Sequence, residues 1–443
     1  MHVSFLQELI ALLAGIAVII TLTTKYQVHP FFALIIACFV TGLGVQMLPA
    51  ELITTVKDGF GNIMKSLGLI IVLGTTLGVL LEHTGSTKVM ANYILNSVGD
   101  KNAAFALSLT GFIVGLPVFC DSGYIVLNGL NKSLSKKTGI SIVITSVSLA
   151  TGLYSVHCLI PPHPGAAAAA ATIGADYGKL ILYGILIAVP AMLVGHWWAV
   201  YAGKKIIPVE AGEVDVPEDL TANPSVLKAF LPVIVPILLI ALRSFIKYDS
   251  ISTSTWINGL LSLGDPVIAL SVAVLLAFGT KTKWKKKTVS LLLQESVEKA
   301  GGILVIIGAG GSFGAVLAAT KIGNHFSEVF ALNSIGILFP FLLTFLLKTA
   351  QGSSTVAIIT ASSIVLPLLT ALGLDSENGK LLAVLSMGAG SMMISHGNDA
   401  YFWVITKFSG LDVRTTLKVY SVASLLMGVT TLLMVYFLSL ILS

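Results

Sequence analysis

Asp121, His157, His163, His396 and Asp399 fall where the chain is otherwise apolar enough to lie in a bilayer. Ionisable groups are expensive in hydrocarbon unless paired or facing water, and there they often form proton relays. All five stand beside interruptions of apolar runs. In Ser155-Val156-His157-Cys158-Leu159-Ile160-Pro161-Pro162-His163-Pro164-Gly165, three prolines and a glycine occupy the last five positions. Prolines remove backbone donors and clash with the preceding turn, so no helix continues through them. Backbone freed in this way must be buried in protein or line a watery cavity. A broken helix carrying two histidines therefore marks a candidate transport site.

A small carboxylate crossing the membrane needs partners that replace its hydration. Helix N-termini supply free N–H donors and partial positive charge without a fixed ion. Four interruptions offer such helix starts, at residues 115–123, 161–165, 348–355 and 391–399. The substrate-binding candidates are Asp121, Ser122, Gly123, His163, Gly165, Gln351, Gly352, Ser353, Ser354, Thr355, His396 and Asn398. The glycines among them would let backbone approach a ligand closely. Asp121, Asp399, His157 and His396 are the candidates for carrying a coupled proton. Lys348 reads as a direct partner of the substrate anion or, preferably, as a cation snorkelling at a hairpin base, and His29, His83, His196 and His325 as interfacial groups near span ends.

Of the 443 residues, 55% are hydrophobic and only 11% charged. Soluble domains carry roughly a quarter charged residues, so this is a polytopic membrane protein. Met1 leads directly into an apolar segment, and no cleavable leader is expected. The net charge of +5 comes from lysines spread over short loops, which points away from nucleic acid. Cys38, Cys120 and Cys158 lack paired spacing and read as packing residues. No cofactor or metal is expected.

A span needs about 20 apolar residues. The first half offers spans at 5–24, 30–48 and 66–81, a polar surface helix or loop at 84–102, a re-entrant hairpin at about 103–130, a broken helix at about 140–173 and a span at 180–201. A hydrophilic linker at 204–224 separates the halves. The second half offers spans at 227–245 and 266–278, an amphipathic surface segment at 291–299, a Gly-rich span at 301–320, a hairpin at about 335–369, a broken helix at about 381–404 and a last span at 417–442. The predicted fold is thus an all-α polytopic membrane protein built from two inverted-topology repeats, 1–203 and 225–443. Each repeat holds a re-entrant hairpin and a broken transmembrane helix. The positive-inside rule then places the linker and Lys281–Lys287 in the cytoplasm and both termini outside.

Four ordered motifs carry a family resemblance: Pro161-Pro162-His163-Pro164-Gly165; the Gly-x-Pro-x-Phe-x-Asp-x-Gly pattern from Gly115 to Gly123; Ala350-Gln351-Gly352-Ser353-Ser354-Thr355-Val356-Ala357; and Ser395-His396-x-Asn398-Asp399-x-x-Phe402-Trp403. Together with chain length and motif order, the sequence resembles the gluconate permease family over essentially its whole length. The resemblance implies proton-coupled uptake of a small hydroxy acid, gluconate or a related sugar acid, across a bacterial inner membrane. It also implies a homodimer and alternating access, in some relatives of elevator type. Some members of the family take D-serine or glycerate instead, and sodium coupling is conceivable. The chain departs from the family pattern at Cys120, Ser122, Ala166, Gly397 and Ala400, neighbours expected to line the pocket. An intramembrane metal enzyme using His157, His163, His396 and Asp399 is disfavoured by their spacing, and a channel by the paired broken helices.

Overall fold

The computed structural model describes residues 4–204, 224–245, 262–281, 283–320 and 335–442; the predicted linker lies almost wholly outside them. In chain order the first helices are α1 (Phe5–Thr24), α2 (Pro30–Gly44), α3 (Pro49–His83), α4 (Ser86–Val98) and α5 (Ala103–Gly115). They are followed by α6 (Cys120–Thr138), α7 (Ile142–His157), α8 (Pro164–Ile173) and α9 (Tyr177–Gly203). Beyond the linker come α10 (Val226–Phe245), α11 (Pro266–Phe278), α12 (Lys286–Ala319), α13 (Leu338–Gln351) and α14 (Ser354–Val365). The chain continues through α15 (Glu377–Met392) and α16 (Ala400–Ser409) to α17 (Val413–Leu442), which contains a π-turn at Leu417–Ser421. Six helices among the described residues are long and apolar enough to cross a membrane. No strand occurs among the described residues.

Local sequence sets the helix ends. Pro30, Pro49, Pro164 and Pro266 each open a helix, where the missing N–H costs nothing and φ is already helical. Ser353 and Asp399 accept from the first-turn amides of α14 and α16, and such caps contribute about 1 kcal/mol each. Left-handed glycines end α6, α8, α13 and α16 at Gly139, Gly174, Gly352 and Gly410. In the membrane these devices matter more than in water, because an unsatisfied helix end has no solvent to turn to.

The structure changes several expectations. Residues 49–83 and 286–319 form single helices of 35 and 34 residues. The predicted spans at 66–81 and 301–320 are therefore only their apolar ends, and the segment 291–299 is not a separate surface helix. At 1.5 Å per residue each helix is about 50 Å long, more than the hydrocarbon thickness of about 30 Å. The two run together, fastened by the Ser312 hydroxyl donating to the Val56 carbonyl at 2.8 Å. The predicted surface segment at 84–102 contains α4, whose Met90, Ala91, Ile94 and Leu95 are buried. Its apolar face packs on α5, α6 and α10.

Element order and length recur across the linker. The pairs α1 and α10 (20 and 20 residues), α3 and α12 (35 and 34), α7 and α15 (16 and 16), and α8 and α16 (10 and 10) correspond. Contacts recur as well: α5 packs on α7 as α13 packs on α15, and α7 on α9 as α15 on α17. Between the halves, α8 packs on α14 while α6 packs on α16, the same pairing with the halves exchanged.

Candidate functional site

The four predicted interruptions are real, and they face one cavity. Helices α5 and α6 flank residues 116–119, α7 and α8 flank 158–163, α13 and α14 flank 352–353, and α15 and α16 flank 393–399. The cavity between them holds about 450 Å³. Its wall includes the first residues of four helices: Cys120, Asp121 and Ser122 of α6; Pro164 of α8; Ser354 and Thr355 of α14; Ala400 and Tyr401 of α16. Each helix start carries first-turn amides and roughly half a positive charge, with one amide already taken by Ser353 at α14 and one by Asp399 at α16. Four of them around one space favour an anion without a dedicated arginine.

Hydrogen bonds lock each hairpin tip to the broken helix beside it. In the first half, His163 is 2% exposed and its Nε2–H donates to the Gly115 carbonyl at 2.6 Å. A carbonyl only accepts, so this contact fixes the proton on Nε2. In the second half, Lys348 and Asp399 form an ion pair of 2.6 Å with side-chain exposures of 1% and 7%. Lys348 also donates to the Gly352 carbonyl. Asp399 additionally accepts from the Ser395 hydroxyl at 2.5 Å and the Tyr401 amide at 3.0 Å. The Asn398 amide donates to the Thr349 carbonyl at 2.7 Å. Lys348 therefore does not snorkel. Its ammonium is buried because a carboxylate and a carbonyl together replace its water.

Close packing holds α8 against α14. A Cβ on Gly165 would come within 3.0 Å of Ile358 Cδ1 and 3.3 Å of Thr355 Cα. The run Ala166–Ala170 that follows is buried throughout, and short side chains let the helices approach. Behind the cavity, Tyr154 donates to the Ser391 carbonyl at 3.0 Å and Tyr401 to the Ala150 carbonyl at 3.1 Å. These bonds tie α7 to α15 and α16, so the two broken helices form one floor.

Of the predicted residues, Asp121, Ser122, His157, Gln351, Gly352, Ser353, Ser354, Thr355, Asn398 and Asp399 line the cavity. Gly123, His163, Gly165 and His396 stand outside its wall; the first and third pack helices, and His163 tethers a tip. His196, expected at an interface, is buried between Ser108 and Ser148, 3.2 Å from each hydroxyl. His325 lies outside the described residues. Sequence reasoning passed over Phe119, Tyr154 and Tyr401 on the wall, and Lys299, Ile303 and Ile306 from α12. Lys299 alone carried a signal, as the last cation before α12 becomes apolar.

Several polar atoms at the cavity have no partner in the protein. His157 Nδ1 and both amide atoms of Gln351 are buried without a hydrogen bond. Buried polar groups are nearly always satisfied, so these atoms are open to a partner from outside the chain. Asp121 makes no ion pair among the described residues; the Cys120 thiol donates to its carboxylate at 3.9 Å. An imidazole, an amide that both donates and accepts, and a carboxylate are chemistry for a small polyhydroxylated or zwitterionic molecule.

Comparisons with known proteins agree with that geometry. The GntP family permease model matches residues 7–441. A gluconate permease of Pseudomonas aeruginosa is 33% identical over 439 residues, covering 96% of each chain. The D-serine transporter DsdX of Escherichia coli K12 is 28% identical, over 97% of this chain and 98% of its own. The Gnt-II system L-idonate transporter of the same organism is also 28% identical, over 96% and 97%. Among solved structures, the YdaH transporter of Alcanivorax borkumensis has a TM-score of 0.62 at 16% identity, covering 88% of this chain and 89% of its own. MtrF of Neisseria gonorrhoeae has the same score and identity, with coverage of 87% and 83%. These two show likeness of fold alone. A family match along nearly the whole chain, with four helix starts around one cavity, makes this protein a GntP family permease, a multi-pass secondary transporter and not an enzyme.

Proposed function

We propose that this permease takes up a small hydroxy acid, gluconate or a related sugar acid, together with protons across the bacterial inner membrane. The observation that carries the reading is the set of unpartnered polar atoms at a cavity where four helices begin. A carboxylate would sit among the amides of α6 and α14 and the hydroxyls of Ser122, Ser353, Ser354 and Thr355. The substrate's hydroxyls would satisfy Gln351 and His157. Cavities that take small ligands begin at about 300 Å³, so a six-carbon acid fits the volume. The recurrence of element order and contacts supports two repeats, 1–203 and 225–443, of opposite orientation. Alternating access would then move the hairpins and broken helices against α3 and α12, as in an elevator, within a homodimer.

The test is uptake of radiolabelled gluconate into proteoliposomes. It should rise with an inward proton gradient and collapse with a protonophore. Uptake that follows sodium and ignores the proton gradient would sink the coupling. Asp121, unpaired at the cavity, is the first proton carrier to test. The Asp121→Asn protein should lose accumulation against a gradient while keeping substrate exchange between loaded and unloaded vesicles. Full proton-driven accumulation by that variant would move the carrier elsewhere.

One observation favours a second substrate. An unpaired carboxylate on a cavity wall is also the natural partner of an ammonium, so a small amino acid such as D-serine could place its amino group on Asp121. Competition separates the readings: gluconate and L-idonate should block uptake under the first, D-serine under the second.

Orientation is tested with single cysteines in a background lacking Cys38, Cys120 and Cys158. An impermeant thiol reagent added to intact cells should label a cysteine at Ser4 and spare one at Ser133. The reverse pattern would invert the proposed topology.

A further inference from the structure

Two stretches, Lys65-Ser66-Leu67-Gly68-Leu69-Ile70-Ile71-Val72-Leu73-Gly74 of α3 and Lys299-Ala300-Gly301-Gly302-Ile303-Leu304-Val305-Ile306-Ile307-Gly308 of α12, share one pattern. In each, a lysine is followed three residues later by glycine, then by five apolar residues and a second glycine. The helices that carry them correspond across the linker, so Lys65 holds the place in the first half that Lys299 holds in the second. The two helices run antiparallel: Ser312 bonds to Val56, the Phe60 ring lies against Gly308, and His83 stacks on Trp284. Gly68 and Gly302 therefore sit near one level in the middle of the pair, and a Cβ on either would meet nothing within 4 Å. Each lysine lies nearly one turn from that level, in opposite directions. A bilayer centred on the pair holds both at depth, where an ammonium needs water or a counter-ion.

The two lysines are used unequally in this structure. Lys299, Ile303 and Ile306 form the part of the cavity wall that α12 supplies, and Lys299 also pairs with Glu295 at 2.7 Å. Their counterparts Lys65, Leu69 and Val72 share a face of α3 by the same spacing, yet stand outside the wall, with Leu69 65% exposed. Gly61 occupies the place of Glu295, and Lys65 makes no ion pair among the described residues. Further along α3, a Cβ on Gly74 would stand 3.1 Å from Pro162 Cβ, and one on Gly78 3.1 Å from the Pro117 carbonyl oxygen. The corresponding Gly308 and Ser312 of α12 face α3 instead. The first hairpin tip and the first broken helix thus lean on α3, while the cavity lies against α12.

Exchanging the halves gives the other arrangement. We propose that in the opposite-facing state Lys65, Leu69 and Val72 form the cavity wall, and that Lys65 meets the substrate's carboxylate there as Lys299 does here. This rests on the reading above of a small carboxylate carried by alternating access. In that reading the hairpins and broken helices move while α3 and α12 stay, so a fixed cation cannot follow the site. Screening confines the pull of an exposed ammonium to about 10 Å. One lysine from each repeat lets the anion meet a positive charge on either side of the membrane.

Single cysteines at Leu69 and Ile303, in the full chain lacking its three native cysteines, report which side reaches each wall. An impermeant thiol reagent is applied to intact cells and to inside-out vesicles. Ile303→Cys should be labelled from one side of the membrane and Leu69→Cys from the other. Labelling of both from the same side, or of Leu69→Cys from neither, overturns the exchange of walls. Should either protein melt abnormally in detergent, Ile306→Cys or Val72→Cys takes its place. Uptake into proteoliposomes tests the cation, with gluconate and D-serine as probes. If wild type takes up neither, the carboxylate reading fails and the role of the lysines with it, while the labels still decide the walls. For a probe that is taken up, Lys65→Gln should raise the half-saturating concentration at least tenfold, and Lys65→Arg should stay within twofold of wild type. An unchanged value in Lys65→Gln, or an equal loss in Lys65→Arg, overturns the assignment of Lys65.

Discussion

The Lys348→Met protein should be destabilised by about 3–5 kcal/mol and should not transport, because the change leaves Asp399 buried without its counter-ion. Both side chains are shielded from solvent, and the ammonium also holds the Gly352 carbonyl. The loss therefore reaches two interruptions at once, the tip between α13 and α14 and the start of α16. Denaturant unfolding in mild detergent, beside uptake in proteoliposomes, gives both readouts. The Lys348→Met/Asp399→Asn protein should recover much of the stability, since it buries no unpaired charge. It should not recover transport, because the tip still lacks its tether. A single variant within about 0.5 kcal/mol of wild type, inside the range of ordinary surface substitutions, would show that the pair is not a structural lock.

This pair marks where reading the sequence ends. The four interruptions were legible because proline and glycine act on the backbone within a few residues, whatever surrounds them. Pro161, Pro162 and Pro164 stop α7 and open α8, and Gly352 stops α13, wherever these helices later pack. Lys348 and Asp399 are 51 residues apart, and nothing local to either announces the other. The snorkelling reading of Lys348 failed for that reason. A cation near a hairpin base looks the same in sequence whether it reaches for water or for a carboxylate brought in by the fold.

The site divides in the same way. Residues at the tips, Asp121, Ser122 and Gln351 to Thr355, were found because a break in the membrane exposes what lies beside it. The contributions of α12, namely Lys299, Ile303 and Ile306, come from the middle of an unbroken helix, and only tertiary packing brings them to the cavity. His163 was located correctly beside a break, yet its ring turns back to the Gly115 carbonyl. The neighbouring His157 keeps Nδ1 without a partner. Two histidines six residues apart thus have different contacts because one precedes the start of α8 and the other ends α7.

Gly352 is where a single methyl group should cost most. It holds φ of +81°, a conformation that strains any other residue by about 1–3 kcal/mol. A Cβ there would also overlap the Asn398 carbonyl oxygen, and Asn398 is itself fastened to Thr349. Relief would require the tip and the second broken helix to separate, carrying Ser353 and Ser354 away from Asn398 and Asp399 across the cavity. The Gly352→Ala protein should therefore bind its substrate at least tenfold more weakly, a loss of about 1.4 kcal/mol, with uptake near background. Gly139→Ala supplies the comparison. That glycine has φ of +71° with nothing within 4 Å of a Cβ, so it isolates the backbone strain from the contact. It should lower stability by about 1–2 kcal/mol and transport normally. Equal losses of transport in the two variants would mean that left-handed strain anywhere in the chain suffices, and that the contact between Gly352 and Asn398 has no special part in holding the site.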